Sequence, residues 1–152
     1  MADIVPPSVR SRMMSGIKGK NSLPERLVRR MLFAAGYRFR LHRRDLPGTP
    51  DIAMPGRKIA IFVHGCFWHA HKGCKYAKVP ATRPDFWIAK FQASINRDQG
   101  AIEKLGAMGW RVLCVWECAT RDHETVKSLG DNISDWINGV AQYGEIGGPP
   151  IS

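Results

Sequence analysis

The sequence predicts a single α/β domain in which a mixed central sheet is flanked by helices. Three observations carry this. The chain has 152 residues, 44% of them apolar, which fits one domain with one hydrophobic core. Strand-like runs at Ile52 to Met54, Ile59 to Val63 and Arg111 to Cys118 alternate with longer segments of helical periodicity. No internal repeat or low-complexity tract breaks that order.

Residues 1–21 form a polar, glycine-containing basic arm carrying Arg10, Arg12, Lys18 and Lys20, with Met13 and Met14 in its middle. A folded domain over 22–143 follows. Ser22, Leu23, Pro24 and Glu25 have the form of an N-cap, an early proline and a capping-box acid. Leu27, Val28, Met31, Leu32 and Ala35 give the first helix one apolar face, and Gly36 stops it. Tyr37 to His42 alternates apolar with basic residues, the period of a half-exposed strand with a basic outer face. Leu46-Pro47-Gly48-Thr49-Pro50 is a turn that delivers Asp51 onto a short strand, Ile52 to Met54. Pro55-Gly56 then turns the chain into Ile59-Ala60-Ile61-Phe62-Val63, whose continuous apolar character predicts a buried central strand. A loop rich in Gly, Cys, His and aromatics spans 64–83, and Pro84 opens a helix to about Leu105. Arg111 to Cys118 is a second buried strand, and Val126, Leu129, Ile133, Trp136, Ile137 and Val140 predict a last helix, bent near Gly130. Residues 144–152, with Gly147-Gly148-Pro149-Pro150, are expected to be a flexible tail.

The formal net charge is +10, with a pI near 9.9, so a polyanion is a natural partner: Lys and Arg release counterions from a phosphate backbone. Charge by itself does not separate nucleic acid from other acidic surfaces. No apolar run approaches the roughly 20 residues that cross a bilayer, which argues against a membrane protein. Met1 to Pro7 lacks the charged leader and apolar core of a signal peptide, so a cytoplasmic location is expected. Four cysteines in that compartment point to metal or packing rather than disulfides.

Cys66, His71 and Cys74 lie within nine residues, and Cys118 ends a strand far downstream. Clustered loop ligands plus a distant one on a strand end build a closed tetrahedral zinc site. His64 and His69 are also near, and spacing does not choose among the histidines; Cys66 and Cys118 could equally be small buried apolar residues. Cys114, inside the strand, is expected in the core. A closed site leaves no position for substrate, so Zn²⁺ here would be structural and any chemistry would lie elsewhere. Asp51 at a strand start, with a second strand about ten residues later, is the skeleton by which nucleases hold Mg²⁺, a hard cation suited by oxygen. An Asp that merely finishes a turn has the same local sequence. His69 fits either a zinc-side role or that of a general base.

Several strings resemble one family. Phe62-Val63-His64-Gly65-Cys66-Phe67-Trp68-His69 is similar to the very short patch repair endonucleases, as are Lys78 to Arg83, Phe86-Trp87, Gly109 to Leu113 and Val115 to Cys118. Leu46-Pro47-Gly48, Pro50-Asp51 and the arm from Arg12 to Ile17 also match, so the resemblance runs from about residue 8 to about 140. It implies a restriction-endonuclease-like fold and a DNA mismatch endonuclease. Such an enzyme nicks one strand 5′ of the mispaired thymine at T·G mismatches left by deaminated 5-methylcytosine.

Carried onto this chain, the resemblance implies that Asp51 holds Mg²⁺ through its carboxylate and Val63 through its backbone carbonyl. It places His69 at the attacking water or scissile phosphate, supported by Glu25 and His64. Cys66, His71, Cys74 and Cys118 would bind Zn²⁺. Phe67, Trp68 and Trp87 would wedge into the base stack, and the arm, with Arg12, Met14 and Lys18, would approach from the minor groove. Trp87 and Phe86 could instead form an ordinary helix core face. The implied partners are T·G-containing duplex and other mismatch-repair proteins, in a prokaryotic cytoplasm at the nucleoid. Nicking one strand needs one active site, which favours a monomer. Two departures stand out: Val63-His64-Gly65 lacks the acid and lysine that related restriction nucleases place there, and Lys72-Gly73 replaces histidine before Cys74. The alternatives are a nuclease of the same fold with looser or restriction-type specificity, and a zinc-stabilised DNA-binding module without catalysis.

Overall fold

In a computed structural model of the chain, residues 22–67, 69, 71, 74, 79–121 and 123–147 are described. Arg12, Met14, Lys18 and Trp68, and with them the expected basic arm, lie outside the described residues. The order is α1 (Leu23–Ala34), β1 (Arg40–Leu41), β2 (Ile52–Met54), β3 (Ile59–His64), α2 (Pro84–Ala107), β4 (Arg111–Trp116), α3 (Glu117–Arg121), α4 (His123–Ile137) and β5 (Tyr143–Ile146).

The five strands form one mixed sheet in chain order. β1 and β3 flank β2 antiparallel, whereas β4 lies parallel to both β3 and β5. The parallel β3–β4 pair needs a long crossover, and α2 supplies it. Side chains alternate across β3, which divides the core in two. Ile59 and Ile61 face Val28 and Leu32 of α1 and Leu129, Ile133 and Ile137 of α4. Ala60 and Phe62 face Ala101 and Leu105 of α2. The sheet is therefore covered on both faces, which explains why β2 and β3 are almost continuously buried rather than alternating.

The expected start and stop of α1 are present. Ser22 caps it by accepting the Glu25 N–H at 3.3 Å. At the other end Gly36 adopts φ +88°, and the Tyr37 N–H donates to Leu32 O at 3.0 Å, the wrap-back that closes a helix through a left-handed residue.

Besides β4, which stops at Trp116 so that Cys118 lies on α3 and not at a strand end, and α4, which stops at Ile137 and leaves Val140 exposed, two elements differ from the sequence expectation. The strand expected over Tyr37 to His42 is reduced to Arg40–Leu41, both exposed. Tyr37 and Phe39 instead pack as half-buried side chains on the α1/α4 core, and His42 leaves the strand at φ +49°. The second correction concerns the tail. Tyr143–Ile146 is a sheet strand, so the folded part runs past residue 143 into what was expected to be flexible. A Cβ at Gly144 would collide with the Trp136 indole, so this glycine belongs to a packed strand and does not mark a loose end. Among the described residues no helix is long and apolar enough to cross a membrane.

Candidate active site and metal centres

The turn before β2 depends on Gly48, at φ +75°, where a Cβ would lie 2.6 Å from the Ala101 Cβ. That close approach seats the turn on α2 and fixes Asp51 at the head of β2. Across the β2–β3 pair, Asp51 Oδ2 accepts the Val63 N–H at 2.7 Å. The carboxylate thus sits beside the end of β3 and lines a cleft of about 640 Å³ together with Glu25, Thr49, Val63, His64, Phe67, His69, Asp98 and Arg97, among others. Asp51, His69, Glu25 and His64, singled out in the sequence, meet in this one cleft.

Burial raises the Asp51 carboxyl from its ordinary value to about 6, the Val63 N–H working against the shift and the Glu25 charge adding to it. His64 is buried and its ring stacks on His69 with centroids 3.9 Å apart. Burial, reinforced by His69, pushes its pKa down to about 3, so it is neutral near pH 7. His69 is half-exposed, and its Nδ1 donates to Asp98 Oδ2 at 2.8 Å. With the proton on Nδ1, Nε2 carries the lone pair and can accept a proton.

A second centre joins the loop after β3 to α3. Ligand atoms of Cys66, His71, Cys74 and Cys118 all fall within 4.8 Å of one another. His71 Nδ1 is 3.6 Å from Cys118 Sγ, close to the roughly 3.5 Å edge of a tetrahedron with zinc–sulfur and zinc–nitrogen bonds of normal length. The loop is shaped for this: His71 N–H donates to Cys66 O and Cys74 N–H to His71 O, and the His71 ring stacks on Trp116 at 3.9 Å. Burial pushes the Cys66 thiol up, so a cation is needed to hold these sulfurs as thiolates in so dry a place. Three sulfurs and one imidazole suit zinc and make a poor site for magnesium. The residues present therefore fit a closed structural metal site, which includes Cys74 despite the altered spacing before it. Cys114 is core, as expected, and its Sγ also meets His64 Nδ1 at 3.1 Å.

The aromatic residues form a third group. Phe67 lines the cleft and packs edge-on against Trp87 at 5.3 Å and Phe91 at 5.2 Å. Phe91 is buried, Trp87 half-buried, and Phe86 exposed with Arg83 over its ring. The cleft thus opens beside a cluster of rings.

Comparison with known proteins bears on what this arrangement is for. The profile of the family described as DNA mismatch endonuclease Vsr matches residues 2–76. The DNA mismatch endonuclease Vsr of Escherichia coli strain K12 is 39% identical over 148 residues, covering 96% of this chain and 94% of that protein. The chain belongs to the DNA mismatch endonuclease Vsr family. Two further relatives bear on this Vsr family member. The type II nicking enzyme V.XorIIP of Xanthomonas oryzae pv. oryzae is 47% identical over 135 residues, covering 89% of this chain and 98% of that protein. The type II nicking enzyme V.NmeAIP of Neisseria meningitidis serogroup A is 38% identical over 122 residues, covering 80% of this chain and 86% of that protein.

Two residues bonded to cleft side chains of this Vsr family member, His42 and Asp98, were not singled out in the sequence. His42 was assigned to a basic outer face, yet its Nε2 donates to Glu25 Oε2 at 2.6 Å. Its signal was the hairpin itself, because pairing Leu41 with Ile52 brings His42 opposite Asp51. Asp98 lies within the helix expected from Pro84 and drew no separate assignment there. It falls, however, between the buried Ser94 and Ala101 on the stripe Phe91, Ser94, Asp98, Ala101, Leu105, where an acid needs a reason.

Proposed function

We propose that this Vsr family member nicks one strand of duplex DNA on the 5′ side of the thymine in a T·G mismatch. The observation that carries this reading is the single cleft holding the Asp51 carboxylate beside the His69–Asp98 pair. An oxygen ligand suits Mg²⁺, and Asp51, with the Val63 carbonyl, is the proposed holder. When bound, the ion supplies charge stabilisation on the scissile phosphate and a more acidic water. The chain does the rest. His69 Nε2 takes the proton of the attacking water, and Asp98 keeps the ring in the tautomer able to do so. His64, neutral and stacked on His69, holds that ring in plane without adding a competing charge. Glu25 stands beside Asp51 as the second acid.

Selection of the mismatch rests on the ring cluster. Phe67 and Trp87, with Trp68, are proposed to wedge into the base stack, which costs a few kcal/mol per step and less at a mismatch than at a paired step. Residues 1–21, through Arg12, Met14 and Lys18, are proposed to grip the minor groove, and the folded part from residue 22 through β5 to form the nuclease body. Zn²⁺ at Cys66, His71, Cys74 and Cys118 holds the loop that carries Phe67 and His69. The setting proposed is a bacterial cytoplasm, at the nucleoid, with other repair proteins as further partners. The nicking enzymes among the relatives favour scission of one strand.

The test is the Asp51→Ala variant with a T·G duplex and Mg²⁺. Nicking should fall by at least about a thousandfold, while duplex affinity changes by less than about threefold, because a metal ligand acts mainly on the transition state. Normal nicking by this variant refutes the assignment of the cleft.

A further inference from the structure

We propose that His42 is a positioning residue of the cleft: it ties Glu25 to Asp51 and so sets the spacing of the two carboxylates that meet a divalent cation. The inference deepens the proposed function and depends on a cation binding at Asp51.

One residue is bonded to both acids. The His42 main-chain N–H donates to the Asp51 carbonyl at 3.1 Å, extending the β1–β2 ladder by one residue. Its side-chain Nε2 donates to Glu25 Oε2 at 2.6 Å. One ligand atom each from Glu25, His42 and Asp51 lies within 4.8 Å of the others.

The bond from Arg29 to the same Glu25 oxygen, at 3.0 Å, comes from within α1. It orients the carboxylate on its own helix but cannot fix that helix against the sheet. His42 can, because its backbone belongs to the sheet side and its ring reaches the helix. The backbone of His42 sits at φ +49°, in the left-handed region where histidine, like asparagine and aspartate, is enriched among residues other than glycine. The Glu25 carboxyl is almost fully buried, with 2% of the side chain exposed, so its place depends on such partners rather than on water. Nε2 is committed to Glu25, so His42 acts through that carboxylate and does not itself take the cation.

Mn²⁺, a spectroscopic stand-in for Mg²⁺, tests this on the full-length, zinc-loaded chain, with free Mn²⁺ measured by electron paramagnetic resonance. His42→Asn tolerates the left-handed backbone but is too short to reach Glu25. His42→Gln restores the reach of a donor nitrogen. Asn should weaken Mn²⁺ binding on the order of tenfold, the usual effect of losing a hydrogen-bond partner of a ligand, and Gln should recover most of it. The Mg²⁺ concentration for half-maximal nicking should move in parallel, with the KM for T·G duplex unchanged. Unchanged Mn²⁺ affinity in His42→Asn overturns the inference while leaving Asp51 in place, provided Asp51→Ala abolishes binding. If Mn²⁺ binding does not depend on Asp51, both the inference and the metal assignment beneath it fall.

Discussion

In the proposed function Asp51 sets stability against activity. Its carboxyl titrates near 6 in the fold instead of its ordinary 3.8, chiefly because it is buried. A raised folded-state pKa means that the folded chain holds the proton more tightly than the unfolded one. That contribution is complete below about pH 4 and is lost as the pH rises through about 6, on the order of 3 kcal/mol in all for the metal-free protein. Asp51→Asn keeps the acceptor for the Val63 N–H and removes the charge. It should therefore raise the metal-free Tm at pH 8 by several degrees, leave it nearly unchanged at pH 3, and abolish nicking. Equal melting temperatures of the two proteins at pH 8 would show that the buried charge is not strained.

At the scale of elements, the legible parts were those whose burial writes a pattern. The cap at Ser22, the stop at Gly36 and the apolar run Ile59 to Val63 all appear where their chemistry puts them. The failures are equally physical. Tyr37 to His42 has the period of a strand, but β2 is only three residues long and gives it little to pair with. β5 reads as a tail because its sequence is short, half-polar and contains a glycine that only the Trp136 ring explains. In the cleft, Asp51 and His69 were visible from motif and resemblance, whereas His42 and Asp98 depend on strand register and helix phase, which single residues do not show. The loop from Gly65 to Arg83 has no regular ladder among its described residues, so its order should come from metal. Cys66→Ser is expected to lose bound zinc and to lower the Tm by more than about 10 °C, given the large binding energy of such sites. Cys114→Ser, outside the ligand set, should keep its zinc. Zinc content by mass spectrometry with thermal unfolding distinguishes the two, and a zinc-free wild type would refute the site.

The whole molecule divides recognition from chemistry. A sheet buried on both faces presents the acids at one end of β2 and β3, the loop after β3 adds His69 and Phe67 beside them, and α2 adds Asp98 and the ring cluster. A charge of +10 attracts any duplex, so affinity alone says little about specificity. Under the proposed function, discrimination arises where the rings enter the stack and the step yields or resists. The most direct measurement is therefore single-turnover nicking, with Mg²⁺, of two duplexes identical except for one T·G or T·A pair, across several flanking sequences. A T·G rate at least about a hundredfold higher in one context, with a single cut 5′ of the thymine, is the result expected if unstacking differs by ~3 kcal/mol. Equal rates on T·G and T·A in every context would contradict mismatch recognition and leave a nuclease of looser specificity.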